Sequence, residues 1–336
     1  MGVGTQVEGH AVGVGGERAV ARAHGVVTEG YFWRFTDARA GRVVIALCGI
    51  NRGPGETWAT LGLGGHPGGF TRWTDARPAG DDPDRLAVHA GDGTFAADAD
   101  GVALDLGPDA RLEVRLHDVR TWPRRPFGGS GAAHALPGLP QYWHPHVLGG
   151  RAEGRAIIDG EEIDLAGWDV YAEKNWGASF PDRWWWGSAQ GFARPDVCVA
   201  FAGGPLAIGP ARFDATALVV QLGPTLIRLG DPLLSPMRAD VGEEHWRLRG
   251  RGPRWSVEVD AGAPLGEAHV LPVPLAGAGH SVPGALEHLG GRLRVAVRRR
   301  GRLVFEGESH LAGLEHGGIE RAAAELRRRE SLAVAL

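Results

Sequence analysis

Apolar and polar positions along this chain recur mostly with a period of two. Arg42-Val-Val-Ile-Ala-Leu-Cys48 is an apolar run of strand length, and Thr57-Trp-Ala-Thr-Leu-Gly-Leu63 alternates. The Asn51-Arg-Gly-Pro-Gly55 cluster between them predicts a hairpin connection. Shorter strands are expected at 86–89, 93–97 and 101–106. The clearest alternation is Arg111–Asp118, with Leu112, Val114 and Leu116 on one face and Arg111, Glu113 and Arg115 on the other. Residues 123–140 are rich in Pro and Gly, and a connection of that length predicts a linker or a functional lid. Strands resume at 142–148, 154–159 and 162–165, and again at 182–192 and 197–201. Gly203-Gly204-Pro205 and Gly209-Pro210 then break the pattern and mark a domain junction. Further strands are expected at 215–221, 225–229, 245–250, 255–260, 292–298 and 303–311, with Arg298-Arg299-Arg300-Gly301 as a tight hairpin. One helix is predicted, Ile319–Arg329. Strands at this spacing, separated by turn signals, predict a sandwich or barrel. The similar texture of the two halves fits a duplicated barrel.

Composition agrees. The 336 residues include 54 Gly and 22 Pro, more than a helical protein carries and suited to many short strands joined by turns. The formal net charge of −4 gives no electrostatic reason to expect nucleic acid. The basic runs Arg298-Arg299-Arg300 and Arg327-Arg328-Arg329 read as a hairpin end and a solvated helix face. The two cysteines, Cys48 and Cys198, lie in apolar runs and are expected as buried free thiols, which makes a reducing cytoplasm the expected setting. The first 25 residues show no signal-peptide pattern, and no apolar run reaches the length of a membrane span.

Chemistry concentrates between Asp169 and Trp186, where a Glu, a Lys, an Asn, a Tyr and four of the twelve tryptophans fall within eighteen residues. On a strand, Tyr171, Glu173 and Asn175 share one face and Lys174 points the other way. Trp184 and Trp186 also share a face, opposite to Trp185. Two readings stand. In one, a Glu173–Lys174 pair staples a β-structure and the tryptophans are core. In the other, a carboxyl inside an aromatic wall is held protonated and delivers its proton to an apolar substrate. His144 and His146 form a second same-face pair, either a proton relay or two hydrogen-bonded structural histidines. A metal would need a third ligand. His117 and His134 are available but fit no known spacing, so no metal is expected.

Tyr171-Ala-Glu173-Lys174-Asn175-Trp176-Gly177, then Phe180-Pro181, then Trp184-x-Trp186, resembles the signature of the tocopherol cyclase family. Glu29-Gly30-Tyr31-Phe32 looks like that family's opening motif. The Gly-rich Phe127–Gly131 precedes a His-containing strand, and Gly154 and the Asp159-Gly160 turn lead into the signature. Glu308 to Gly318 looks like the closing strand, which ends in Glu-x-Gly-Gly. The resemblance covers roughly 26–318. Two positions depart from the plant-type pattern, Ser188 and Gln190, where Gln and Asn stand in those enzymes. Tyr31 also replaces a Trp in the opening motif.

The resemblance implies a mostly β fold of two lipocalin/calycin-like antiparallel barrels with a short C-terminal helix, and an apolar ligand inside a barrel. The units would be an N-terminal extension over 1–25, a first β domain over 26–205 carrying the signature, a second over 206–318, and a helical tail over 319–336. It implies an enzyme, tocopherol cyclase-like, that protonates an alkene of a prenylated aromatic or terpenoid substrate. Ring closure or hydration then follows without a cofactor. The alternative is a non-catalytic lipocalin-like carrier of an apolar ligand. Glu173 is the expected acid and Tyr171 its orienting neighbour, with Asn175, His144 and His146 as further catalytic candidates. Trp143, Trp176, Phe180, Trp184, Trp186 and Gln190 are the candidate substrate walls. The expected partner is a small prenylated or terpenoid molecule, not nucleic acid. Peripheral membrane contact stays open, since a prenyl lipid would reside there.

Overall fold

Strand pairing sorts the chain into two antiparallel sheets. The computed structural model describes residues 23–123, 127–208 and 211–334, so the N-terminal extension expected over 1–25 lies almost wholly outside the described residues. The first sheet contains β1 (Thr28–Asp37), β2 (Arg42–Arg52), β3 (Thr57–His66), β4 (Thr71–Ala76), β5 (Ala79–Asp81), β6 (Ala87–Ala90), β7 (Phe95–Asp98), β8 (Gly101–Asp105), β9 (Ala110–His117), β10 (Gln141–Val147), β11 (Arg151–Ile158), β12 (Glu161–Asp164) and β13 (Asp169–Gly177). The second contains β14 (Trp184–Ala189), β15 (Val197–Ile208), β16 (Ala211–Leu222), β17 (Thr225–Leu229), β18 (Met237–Val241), β19 (His245–Arg251), β20 (Trp255–Gly262), β21 (His269–Leu275), β22 (His280–Arg299) and β23 (Arg302–Gly317). Helix α1 (Ile319–Val334) closes the chain.

The first ladder runs β4-β3-β2-β1-β13-β11-β9-β8-β7-β6-β5, with β10 on β13 and β12 on β11. Its two ends, β4 and β5, are separated in the chain only by Arg77 and Pro78. The sheet must therefore curl back on itself, although the hydrogen-bonded ladder does not continue from β4 to β5. The second ladder, β17-β16-β15-β14-β23-β22-β20-β19-β18 with β21 on β22, curls in the same way between β17 and β18. The result is a mostly β chain of two calycin-like units and one terminal helix, with each barrel left open along one seam.

The chain passes from one sheet to the other between Gly177 and Trp184, not at 202–210. Gly203-Gly204-Pro205 lies inside β15. Beyond Gly203, β15 no longer pairs with β14 and has only β16 as neighbour, so Pro205 removes no ladder bond on that open side. Gly203 itself is a close-approach position, since a Cβ there would sit 2.2 Å from Trp185 Nε1. The tight hairpin between β22 and β23 is as expected, with Arg300 and Gly301 both at positive φ. Cys48 and Cys198 are buried and free.

Each unit has its own core. Tyr31, Trp33 and Phe35 of β1, with Val170 and Ala172 of β13, belong to the first; Trp185, Phe201, Trp246 and Val295 belong to the second. The other faces of β1, β2 and β13 are buried too, against β14, β22 and β23, through clusters that mix the two sheets. Tyr171 packs with Trp186 in one, and Val43 and Ile45 with Leu289 and Leu311 in another. Arg34 crosses this seam: its Nη2 donates to the carbonyls of Leu289 (2.7 Å) and Leu311 (2.6 Å).

On the core face of β13, the Lys174 ammonium meets Glu29 Oε2 at 2.5 Å, both side chains being fully buried, and Arg52 Nη1 reaches Glu29 Oε1 at 2.9 Å. Burial acts against the Glu29 carboxylate, but His24, Lys174 and Arg52 together hold it well below the usual range. Glu29→Ala takes away Lys174's carboxylate partner inside the core and is expected to cost about 3–5 kcal/mol. Glu161→Ala, which breaks the exposed Arg42–Glu161 pair, should cost no more than about 1 kcal/mol. Urea denaturation of both variants checks the contrast.

Candidate active site

The seam encloses a cavity of about 410 Å³ lined from both sheets. Glu173 reaches it from β13. Its Oε2 accepts three hydrogen bonds: Tyr171 Oη at 2.5 Å, Trp143 Nε1 at 2.7 Å and Trp186 Nε1 at 2.7 Å. Strand geometry explains each donor. Tyr171 is two residues back on the same face. Trp143 sits on β10 opposite Asn175, diagonal to Glu173. Trp186 comes from β14 across the seam. Burial raises the Glu173 carboxyl above its ordinary value against the opposing pull of these three donors. Among the described residues no donor is aimed at Oε1. The group is thus a buried acid whose conjugate base already has a hydrogen-bonding cradle.

A second carboxyl is held in the same manner. Trp184, two residues before Trp186 on the same face of β14, donates its Nε1 proton to Glu315 Oε1 on β23. Glu315 lies directly opposite Glu287 on β22, and both line the cavity. Burial, opposed by the Trp184 bond and assisted by Glu173, pushes Glu315 up to about 7. Glu287 is raised well above the ordinary carboxyl value, by burial first and then by Glu315, against the pull of Arg34. The rest of the wall is largely apolar or aromatic: Phe32, Leu47, Phe180, Leu271 and Val273, with Trp143, Trp184 and Trp186. The Pro/Gly-rich segment contributes Ser130, Ala132, Ala133, Leu136, Leu139 and Pro140. It therefore forms part of the cavity wall, although 124–126 lie outside the described residues.

A family model described as tocopherol cyclase-like matches residues 87–318. The chain belongs to the tocopherol cyclase-like family. It is 28% identical over 223 residues to the probable chloroplastic tocopherol cyclase of Oryza sativa subsp. japonica, a match covering 62% of this chain and 47% of that protein. The chloroplastic tocopherol cyclase of Zea mays is 26% identical over 223 residues, covering 62% and 46%. The chain thus matches about half the length of these curated relatives. Among solved structures, kievitone hydratase from Nectria haematococca superposes with a TM-score of 0.54 at 11% identity, over 92% of this chain and 94% of that one. At that identity the likeness speaks for the fold alone.

The family signature is thus divided between the two faces of one strand. Tyr171, Glu173 and Asn175 face the seam, and Asn175 lines the cavity. Asn175 does not bond Glu173, however; its Oδ1 accepts from Gln141 Nε2 at 2.8 Å. Trp176 is on the opposite face, stacked between His24 (centroids 4.2 Å apart) and His134 (5.3 Å), and is not a cavity wall. His144 and His146 also stand behind the wall. Trp143 takes the cavity face of β10, so its neighbour His144 must point away, where it packs edge-on to Trp122 and accepts from Gly129 N. Burial, with neighbouring cations close by, holds both imidazoles below their ordinary value. Ser188 and Gln190 lie beyond the cavity, where Gln190 Nε2 donates to Val170 O at 2.9 Å. Among the described residues no group of side chains is arranged to hold a metal ion.

Sequence reasoning missed Arg34, Glu287 and the role of Glu315. Arg34 and Glu287 both lie in stretches given no strand. Glu315 was visible only as part of the closing motif. The displaced carboxyl of Glu315 has a measurable consequence for stability. Its folded-state value of about 7 exceeds the ordinary 4.5, so the folded chain binds more protons than the unfolded chain between those values. Stability contributed by the protonated group is complete below pH 4.5 and is lost as pH rises towards 7. Glu315→Gln should flatten that decline, so that the variant gains on the wild type as pH rises. Denaturant unfolding at a series of pH values from 4.5 to 8 checks the slope.

Proposed function

We propose that this protein is a cofactor-independent, tocopherol cyclase-like enzyme in which Glu173 protonates an alkene of a prenylated aromatic or terpenoid substrate. One observation carries the assignment: a buried carboxyl at an apolar cavity whose Oε2 is saturated by Tyr171, Trp143 and Trp186. An oxygen accepting three donors has no room for a proton, so the transferable proton resides on Oε1. Burial favours that protonated form. When it leaves, the negative charge falls on a group already hydrogen-bonded for it, a form of electrostatic preorganisation. The indole and phenyl faces around the cavity suit a short-lived tertiary cation, and the apolar wall limits premature capture by water. A hydroxyl of the substrate then closes the ring, or a water adds in its place.

Glu173→Gln keeps an acceptor oxygen for the three donors but carries no transferable proton. Incubation with a prenylated hydroquinone in deuterated water should place deuterium at the former alkene carbon with the wild type. With the variant, turnover should fall by about 10²–10⁴-fold or more, at unchanged circular dichroism. Full product formation by Glu173→Gln would overturn the assignment.

A further inference from the structure

The acid step leaves the opposite side of the cavity unused. Glu287 and Glu315 face each other across β22 and β23. Carboxyls at directly opposed strand positions are too close for both to ionise freely. Glu315 is oriented by Trp184, whereas Glu287 is 1% exposed and its Oε1 has no hydrogen-bond partner among the described residues. Arg34 is equally buried. It commits Nη2 to two backbone carbonyls across the seam, and among the described residues Nε and Nη1 have no hydrogen-bond partner. These unpartnered groups converge on Gly313. A Cβ at that position would lie 3.1 Å from Arg34 Nη1, 3.4 Å from Glu287 Oε1 and 3.0 Å from Trp186 Cζ3. Among the described residues Arg34 Nη1 and Glu287 Oε1 form no ion pair with each other; Glu287 lines the cavity, and Arg34 stands close behind it.

We propose that Glu287 and Glu315, with Arg34 behind them, form a second proton-handling centre of this cavity, which takes the proton of the attacking hydroxyl. The proposal rests on the acid role of Glu173. The hydroxyl donates its proton to the Glu287–Glu315 pair, both members of which line the cavity, and the Arg34 guanidinium acts on the pair through its charge. Glu287 and Glu315 share a single negative charge, balanced by the guanidinium. When Glu173 has delivered its proton to the alkene and the C–O bond forms, the O–H bond breaks and its proton passes to the carboxylate pair. The pair is then neutral and Glu173 is anionic. Return of one proton from the pair to Glu173 restores the starting state, so the reaction is an isomerisation with no net gain or loss of protons or electrons. Of the other ionisable groups nearby, Glu173 and Tyr171 of β13 and Cys198 of β15 face the seam. His288 and His316 point into the second core and flank Trp246.

The test has two arms. In the first, protein with ¹³C-labelled glutamate carboxyls is titrated by NMR from pH 4 to 9 in the wild type, Glu287→Gln and Glu315→Gln, with Glu173→Gln to assign the third carboxyl. A shared proton predicts that the Glu287 and Glu315 signals titrate together in two separated steps, and that either replacement collapses the survivor to one displaced step. Independent titration of each in the ordinary carboxyl range, insensitive to the other's replacement, would overturn the proposal. In the second arm the probe is again a prenylated hydroquinone in deuterated water. Glu287→Gln and Glu315→Gln should each lower kcat at least tenfold and shift the basic-to-acidic limb of the pH–rate profile. If Glu173→Gln loses turnover while both of these keep wild-type rate and profile, the second centre is refuted and the acid assignment stands. If the wild type gives no product, the acid assignment falls, and the titration alone decides whether the shared-proton pair exists. Circular dichroism and thermal melting of each near-isosteric variant separate loss of fold from loss of function.

Discussion

The structure depends on the burial of both faces of β13. Most strands of a curled sheet show one face to a core and the other to water, and Arg111–Asp118 follows that rule. β13 and its neighbour β1 do not: their inner faces fill the first core and their outer faces meet β14, β22 and β23. Two calycin-like units are thereby held together by apolar burial along a shared wall. The cavity is what remains where that wall does not fill completely. The resemblance implied a ligand inside a barrel, whereas this cavity lies between the two units, against the outer surface of the first.

Double burial forces two different electrostatic solutions onto adjacent residues. Lys174 faces the first core as a cation and is matched by Glu29 at 2.5 Å. Glu173 faces the seam, where among the described residues no cation is paired with it, and burial instead favours its neutral form. Isolated charge in either place would cost several kcal/mol. The core answers with an ion pair, and the seam with three hydrogen-bond donors to a carboxyl that burial pushes towards its neutral form. The imagined Glu173–Lys174 pair is excluded by strand geometry alone, since neighbours on a strand point to opposite faces.

Much of this was legible in the chain. Alternation identified most strands, the Arg300-Gly301 hairpin, the shared face of Tyr171 and Glu173, and that of Trp184 and Trp186. The same rule, applied strictly, separates Trp143 from His144 and Glu173 from Trp176, so those four could never have lined one wall together. What alternation cannot supply is contact between sheets. Glu287 and Glu315 meet through the pairing of β22 with β23, and Arg34 reaches them only because β1 packs against those strands. The strand β21 was hidden by Pro272 and Pro274, which read as loop but are tolerated on a strand paired only with β22. The junction was misplaced for a related reason: Gly203-Gly204-Pro205 has the composition of a break but serves the close passage of Trp185 and an unpaired strand flank.

Trp184 and Trp186 give the seam a ruler. Each indole holds a carboxyl from a different sheet, Glu315 from the second and Glu173 from the first. Their own separation is one strand repeat, about 7 Å. The spacing between the two carboxyl anchors is therefore written into backbone geometry, not into the flexible loops around the cavity. Such a ruler is tolerant of substitution around it but intolerant of any change in length. One inserted or deleted residue between Trp184 and Trp186 would turn one ring into the second core and release its carboxyl. Descendants of this chain can accordingly vary the walls freely, while the register of that three-residue segment stays fixed.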